Sequence, residues 1–167
     1  MRHVISILIE NEAGALSRVV GLFSQRGYNI DSLTVAPTDD ATLSRCTILT
    51  SGDKSEAEQI TKQLHKLVCV YRVAALLDEA EGGIEREMVL VKVSTPNRNV
   101  RDEVKSLADI FNAKIIDVNA EIFTLEYVGN SDETDNFIST ICKLAEVIEV
   151  VRSGVLGIAK GTHYMKP

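Results

Sequence analysis

Tryptophan is absent from this 167-residue chain, and Phe and Tyr bring the aromatic share to only 5%. Proteins that read single-stranded nucleic acid stack bases on strand-borne aromatics, so that class has little to build on here. Positive charge is also scarce: 18 Lys and Arg stand against 24 Asp and Glu, a net charge of −6. That is the wrong sign for a phosphate backbone or an anionic bilayer surface. The three cysteines, Cys46, Cys69 and Cys142, are odd in number, widely spaced and never in C-x-x-C. A disulfide framework or zinc site is not expected, and a reducing compartment is. No apolar run approaches the ~20 residues of a membrane span. Met1-Arg2-His3 leads directly into a strand-like run rather than a signal peptide. The expectation is a cytoplasmic protein with neither membrane nor nucleic acid as partner.

Catalytic signatures are missing too. There is no G-x-x-x-x-G-K-[ST] phosphate loop, no G-x-G-x-x-G and no G-x-S-x-G elbow. His3, His65 and His163 share no ligand spacing, so no metal is expected. Ser17 belongs to the first turns of a helix, and Glu10 and Glu12 have no apolar surroundings that would raise a pKa for acid catalysis. No catalytic residue is expected.

What remains is a hydrophobic content of 45%, enough for a real core without crosslinks. The chain is organised around Ile9 to Gly27. Leu16, Val19, Val20 and Phe23 recur at i, i+3, i+4 and i+7 and predict one face of a helix over about 13–26, with Gly27 placed for a left-handed cap. Asn11-Glu12-Ala13-Gly14-Ala15 is a polar loop that brings small side chains to the helix N-terminus. Free N–H groups and the positive end of the helix dipole meet there, which suits a carboxylate.

Around that helix the elements alternate. Val4–Ile9 is a strand with apolar residues on both faces, hence central and covered on both sides. Asn29–Ala36 is an irregular strand, Pro37-Thr38-Asp39-Asp40 a turn, and Leu43–Thr50 a strand. Ser55 and Glu58 read as a capping box for a helix carrying Ala57, Ile60, Leu64 and Leu67; Val68–Leu77 is a fourth strand. This is β-α-β-β-α-β, the ferredoxin-like order. Asp78 to Glu85 is acidic with a Gly pair and reads as a linker.

The order then repeats. Glu87–Val93 is a strand, Val104 to Phe111 a helix, Ala113–Val118 and Ile122–Val128 strands, Phe137 to Leu144 a helix, and Val147–Ile158 a closing strand. Gly154 and Gly157 read as loosened strand ends, and the tail from Lys160 as frayed. Val70-Tyr71-Arg72 and Val150-Val151-Arg152 are a shared local pattern. The expected organisation is α+β: two ferredoxin-like βαββαβ domains in tandem over 1–77 and 87–160, with a linker over 78–86 and a tail over 161–167.

Residues 1–77 resemble the ACT domain, a small ferredoxin-like ligand-binding module that pairs side by side. The run from Glu10 to Asp40, ENEAGALSRVVGLFSQRGYNIDSLTVAPTDD, is similar to the regulatory small subunit of acetolactate synthase. Leu43-Ser44-Arg45, Gln63 to Leu67, Arg86-Glu87, Arg101 to Val104 and Ile115 to Val118 extend the likeness over nearly the whole chain. Cys46 stands where that family often has Met, and Cys69 where an acidic residue is common.

The resemblance implies a non-catalytic subunit. It would bind and activate the catalytic large subunit, which carries thiamine diphosphate, Mg and FAD, and confer feedback inhibition by valine. No cofactor is expected on this chain. The effector site would lie between two ACT domains of a homodimer, with Asn11, Gly14, Ala15 and Leu16 from one chain and Asn29, Ile30 and Ala36 from the other. The residue types suit that ligand. N–H groups around Gly14 to Leu16 can take the carboxylate, Asn11 and Asn29 can accept from the ammonium, and Leu16 and Ile30 can hold the isopropyl group. The alternative is a free-standing amino-acid sensor of ACT type with no enzyme partner.

Overall fold

The protein is described from a computed structural model covering residues 1–76 and 82–166. The expected linker residues 78–81 and the end of the fourth strand at Leu77 lie outside the described residues. The chain packs as two compact units, Met1–Ile84 with Val155–Pro167, and Glu85–Gly154.

In the first unit, β1 (Arg2–Glu10), β2 (Ser32–Pro37), β3 (Leu43–Ser51) and β4 (Val70–Ala75) form a sheet in the order β2-β3-β1-β4. Helices α1 (Ala15–Arg26) and α2 (Lys54–Leu64) complete the expected βαββαβ. β1 is continuously buried from His3 to Ile9. Ile5, Ile7 and Ile9 meet Ala15, Val19 and Phe23 of α1 and Ile60 and Leu64 of α2 in one core. Full burial of each such side chain contributes about 1.5–3 kcal/mol.

The other face of β1 is covered as well, by a segment from the far end of the sequence. The closing strand, expected as one run over 147–158, is two: β8 (Val147–Arg152) and β9 (Leu156–Ala159). The break returns the chain to the first unit, where Val155 packs with Val4 and Leu76 and its N–H donates to Ser32 Oγ at 3.1 Å. Gly157 is therefore no loosened strand end. A Cβ there would stand 2.5 Å from Leu76 Cδ1 and 3.2 Å from Val4 Cγ1, so a side chain would have to push the buried Leu76 side chain aside.

The second unit repeats the order with β5 (Gly83–Ser94), α3 (Arg98–Phe111), β6 (Lys114–Val118), β7 (Ile122–Gly129), α4 (Ser131–Leu144) and β8, in the sheet order β6-β7-β5-β8; β9 also pairs with β5. β5 opens at Gly83, four residues before the expected Glu87. Val89, Val91 and Val93 join Val104, Leu107, Phe137 and Ile141 in a second core. Phe111, Tyr127 and Phe137 form an aromatic group in it, with Tyr127 and Phe137 stacked at 4.7 Å between ring centroids. Glu87 is buried and held by Arg152, whose Nε and Nη2 donate to its two oxygens at 2.9 and 2.6 Å; Nη1 reaches Asp135 at 2.7 Å.

α2 begins one position before the expected capping serine. Asp53 is the N-cap: its carboxylate accepts from Glu56 N at 2.8 Å, and Glu56 Oε2 accepts from Asp53 N at 2.9 Å. Asp-x-x-Glu and Ser-x-x-Glu overlap in this stretch, and both residue types cap well.

Candidate functional site

The loop between β1 and α1 is tied to its neighbours by backbone. Glu10 N donates to Cys69 O at 2.9 Å and Asn11 N to Thr42 O at 2.8 Å. Asn11 Nδ2 donates to Ala41 O at 2.9 Å, so the amide presents Oδ1 as its acceptor. The turn that receives Asn11 is itself braced: Thr42 N and Oγ1 donate to Asp40 Oδ1 at 2.9 and 2.7 Å. These two bonds hold the Asp40 carboxyl below the usual range. No sequence signal short of the Asp-x-Thr spacing pointed to this support.

Gly14 occupies the N-cap position of α1 with φ 89° and ψ −13°, a left-handed conformation that costs an ordinary residue about 1–2 kcal/mol. Nothing stands within 4 Å of where its Cβ would be, so the space before the helix is open. No side chain caps α1. Each of the other described helices is capped: α2 by Asp53, α3 by Asn97 and α4 by Asn130. α1 thus offers first-turn N–H groups and the positive end of its dipole to an exterior acceptor. Ala15 is buried, accepting weakly from Cys69 Sγ at 3.8 Å through its carbonyl. Leu16 is half-buried against the core.

The remaining predicted residues divide in an informative way. Asn29 and Ile30 follow the C-terminal end of α1, where Gly27 supplies the left-handed cap. Asn29 O accepts from Thr50 Oγ1 at 2.6 Å, and Asn29 Nδ2 donates to Asp31 at 2.5 Å, fixing the connection. α1 has 12 residues, and at 1.5 Å per residue it separates Gly14 from Asn29 by about 18 Å. One free amino acid cannot touch both in one chain. Ala36, on the exposed edge strand β2, returns to the loop end: it pairs with Arg45, which pairs with Leu8, two rows from Glu10.

Comparisons with known proteins bear on both units. A sequence model described as the AHAS small subunit-like ACT domain matches residues 5–72, and one described as the small subunit of acetolactate synthase matches residues 86–161. The acetolactate synthase isozyme 3 small subunit of Escherichia coli K12 is 54% identical over 166 residues, 99% of this chain and 100% of that one. The chain belongs to the acetolactate synthase small-subunit family. The probable small subunit of Archaeoglobus fulgidus, 39% identical over 96% of this chain and 98% of its own, lies further off in the same family. The crystal structure of the acetolactate synthase small subunit from Thermotoga maritima superimposes with a TM-score of 0.86 at 35% identity, covering 98% of this chain and 99% of that one. The first unit is accordingly an ACT domain, and the chain is a regulatory small subunit with a catalytic large subunit as its implied partner. No described helix is long and apolar enough to cross a membrane. Among the described residues no group of His, Cys, Asp or Glu is arranged to hold a metal ion.

Proposed function

We propose that this small subunit binds valine in a crevice between two copies of its ACT domain and thereby controls the catalytic subunit it activates. The uncapped start of α1 carries the reading, because it is an anion site left open where the sibling helices are closed. The ~18 Å between Gly14 and Asn29 supports a homodimer. β2 is an edge strand, with a sheet neighbour, β3, on one side only. Two copies meeting antiparallel along β2 bring the loop end of one to the Asn29 end of the other.

In that arrangement the carboxylate takes N–H groups from Gly14 and Leu16 of one chain and lies against Ala15, whose own N–H donates to Glu12 O at 3.2 Å. The ammonium faces Asn11 Oδ1 of that chain and Asn29 of the partner copy. The isopropyl group rests between Leu16 and the Ile30 of the second chain, while Ala36 flanks the crevice from the same chain as Gly14. Thiamine diphosphate, Mg and FAD chemistry belongs to the catalytic subunit in this reading. Valine bound across the pair favours one mutual arrangement of the two copies. A catalytic subunit that prefers another arrangement loses its activation by the difference, ~1–3 kcal/mol for ordinary allosteric couplings. Linkage makes the effect mutual: the catalytic subunit must change valine affinity by the same factor.

Gly14→Asp is the direct test. It adds a like charge, a side chain in the open space and a residue disfavoured at φ 89°. The valine concentration for half-inhibition of the reconstituted enzyme should rise at least tenfold, with activation in the absence of valine retained. Full valine sensitivity in that variant would remove the loop from the site.

A further inference from the structure

The outer face of the first sheet carries a second feature that the valine crevice does not use. Arg45 and Arg72 both pair with Leu8 in the β-ladder, one from β3 and one from β4. They therefore share a face, two strand spacings or about 10 Å apart at Cα, within the joint reach of two arginine side chains. Arg45 is half-buried, and its Nε donates to Ser6 Oγ at 2.9 Å. No carboxylate among the described residues forms an ion pair with either guanidinium. Burial lowers the pKa of Arg45, the mark of a cation placed without a counter-charge.

The equivalent row in the second unit is balanced. There the bulge in β5 falls at Lys92/Val93, as the bulge in β1 falls at Leu8/Ile9. The row is Thr124, Lys92 and Glu149, with Lys92 and Glu149 in an ion pair at 3.5 Å. One unit completes its charges across the ladder, and the other leaves two cations side by side.

The two arginines open into a cavity of about 390 Å³, bounded on the far side by β9 and the segment after it. Ala74, Leu76 and Ile158 give it apolar walls; Tyr164 and Lys166 close one side, with Lys166 Nζ 5.8 Å from the Tyr164 ring centroid. That volume falls in the usual range for small-molecule sites, roughly 300–1,000 Å³. Its described lining includes guanidinium and ammonium groups but no Asp or Glu. A ligand ammonium would find no counter-charge, whereas a carboxylate would find two forked donors suited to it.

We propose that this cavity binds a small aliphatic carboxylate lacking an ammonium group, such as a 2-oxo acid, with the carboxylate on Arg45 and Arg72 and the aliphatic body against Ala74, Leu76 and Ile158. The two arginines lie on the sheet face opposite α1, so the subunit senses two ligands of similar skeleton that differ at one functional group.

The test is calorimetric titration of the full-length chain with 3-methyl-2-oxobutanoate, which has valine's skeleton with a keto oxygen in place of the ammonium, and in parallel with inorganic phosphate. The oxo acid should bind wild type. Its affinity should fall at least tenfold in Arg45→Gln and in Arg72→Gln, while Gly14→Asp leaves it unchanged. Arg72 is exposed, so the second arginine variant reports even where the first perturbs folding. Absence of oxo-acid binding, or binding that survives both arginine variants, overturns the site. Loss of binding in Gly14→Asp alone would mean that the oxo acid occupies the valine crevice instead. Phosphate binding tighter than the oxo acid, and lost in the same variants, overturns the carboxylate assignment in favour of an inorganic-anion site.

Discussion

α1 and α3 leave their central strands at the same point of the repeated fold, yet their first turns are finished in opposite ways. At α3, Asn97 Oδ1 accepts from Val100 N at 3.1 Å. Arg101 then fills the loop, with Nε donating to Thr95 O at 3.3 Å and a second guanidinium nitrogen donating to Ala120 O. At α1 a glycine stands in the capping place and nothing occupies the space beyond it. The outer sheet faces differ in the same sense. One repeat closes its first helical turn and pairs its outer-row charge internally, and the other holds donors and cations ready for something from outside. A duplicated architecture can therefore carry recognition in one copy and stability in the other, and the helix caps and outer-row charges of each copy tell which.

The largest stability difference between the units should come from the buried ion pair. Glu87→Gln leaves Arg152 with only the exposed Asp135. Breaking such a pair from its buried side costs about 3 kcal/mol, and denaturant unfolding would measure it. The loss should weaken hydrogen-exchange protection in β5 and β8 and leave β1 as it was. Asn97→Ala opens the α3 turn at a cost of about 1 kcal/mol. It should leave valine inhibition unchanged, because the loop still holds Arg101. A valine site gained at α3 in that variant would break the comparison.

The smallest effect is one of pH. The Asp40 carboxyl titrates below its ordinary range, so its bonds to Thr42 are complete above that range and are lost as pH falls through the lowered value. NMR titration should show the Thr42 amide shifting with the Asp40 carboxyl, and Asp40→Asn should abolish that dependence. The turn anchors Asn11 through Thr42 O and Ala41 O, so the same acid range should loosen the crevice loop.

Periodicity is enough to read both repeats, because each helix buries an i, i+3, i+4 face and each central strand places β-branched residues at alternate, core-facing positions. The loop from Asn11 to Leu16 was equally legible, since it lies within one stretch of chain. What local pattern could not reveal depends on contacts distant in sequence. The return of Leu156–Ala159 to cover Val4 joins opposite ends of the chain, and only that packing turns Gly157 from a strand end into a close approach. The shared triplets Val70-Tyr71-Arg72 and Val150-Val151-Arg152 proved to be out of register. Arg72 lies opposite Leu8 on the outer face, whereas Arg152 lies opposite Val89 and turns to the buried Glu87. The strand bulge sets which way each arginine points, and no sequence window encodes it. Ala36, expected beside Asn29 from sequence likeness, is carried by β2 to the other end of α1.

Whether two copies share one valine is decided by a crystal grown with valine. The expected result is one valine between the Gly14–Leu16 turn of one copy and the Asn29–Ile30 segment of the other, repeated by the dimer two-fold. Valine bound elsewhere, with both crevices empty in a subunit that still renders its enzyme valine-sensitive, would contradict it.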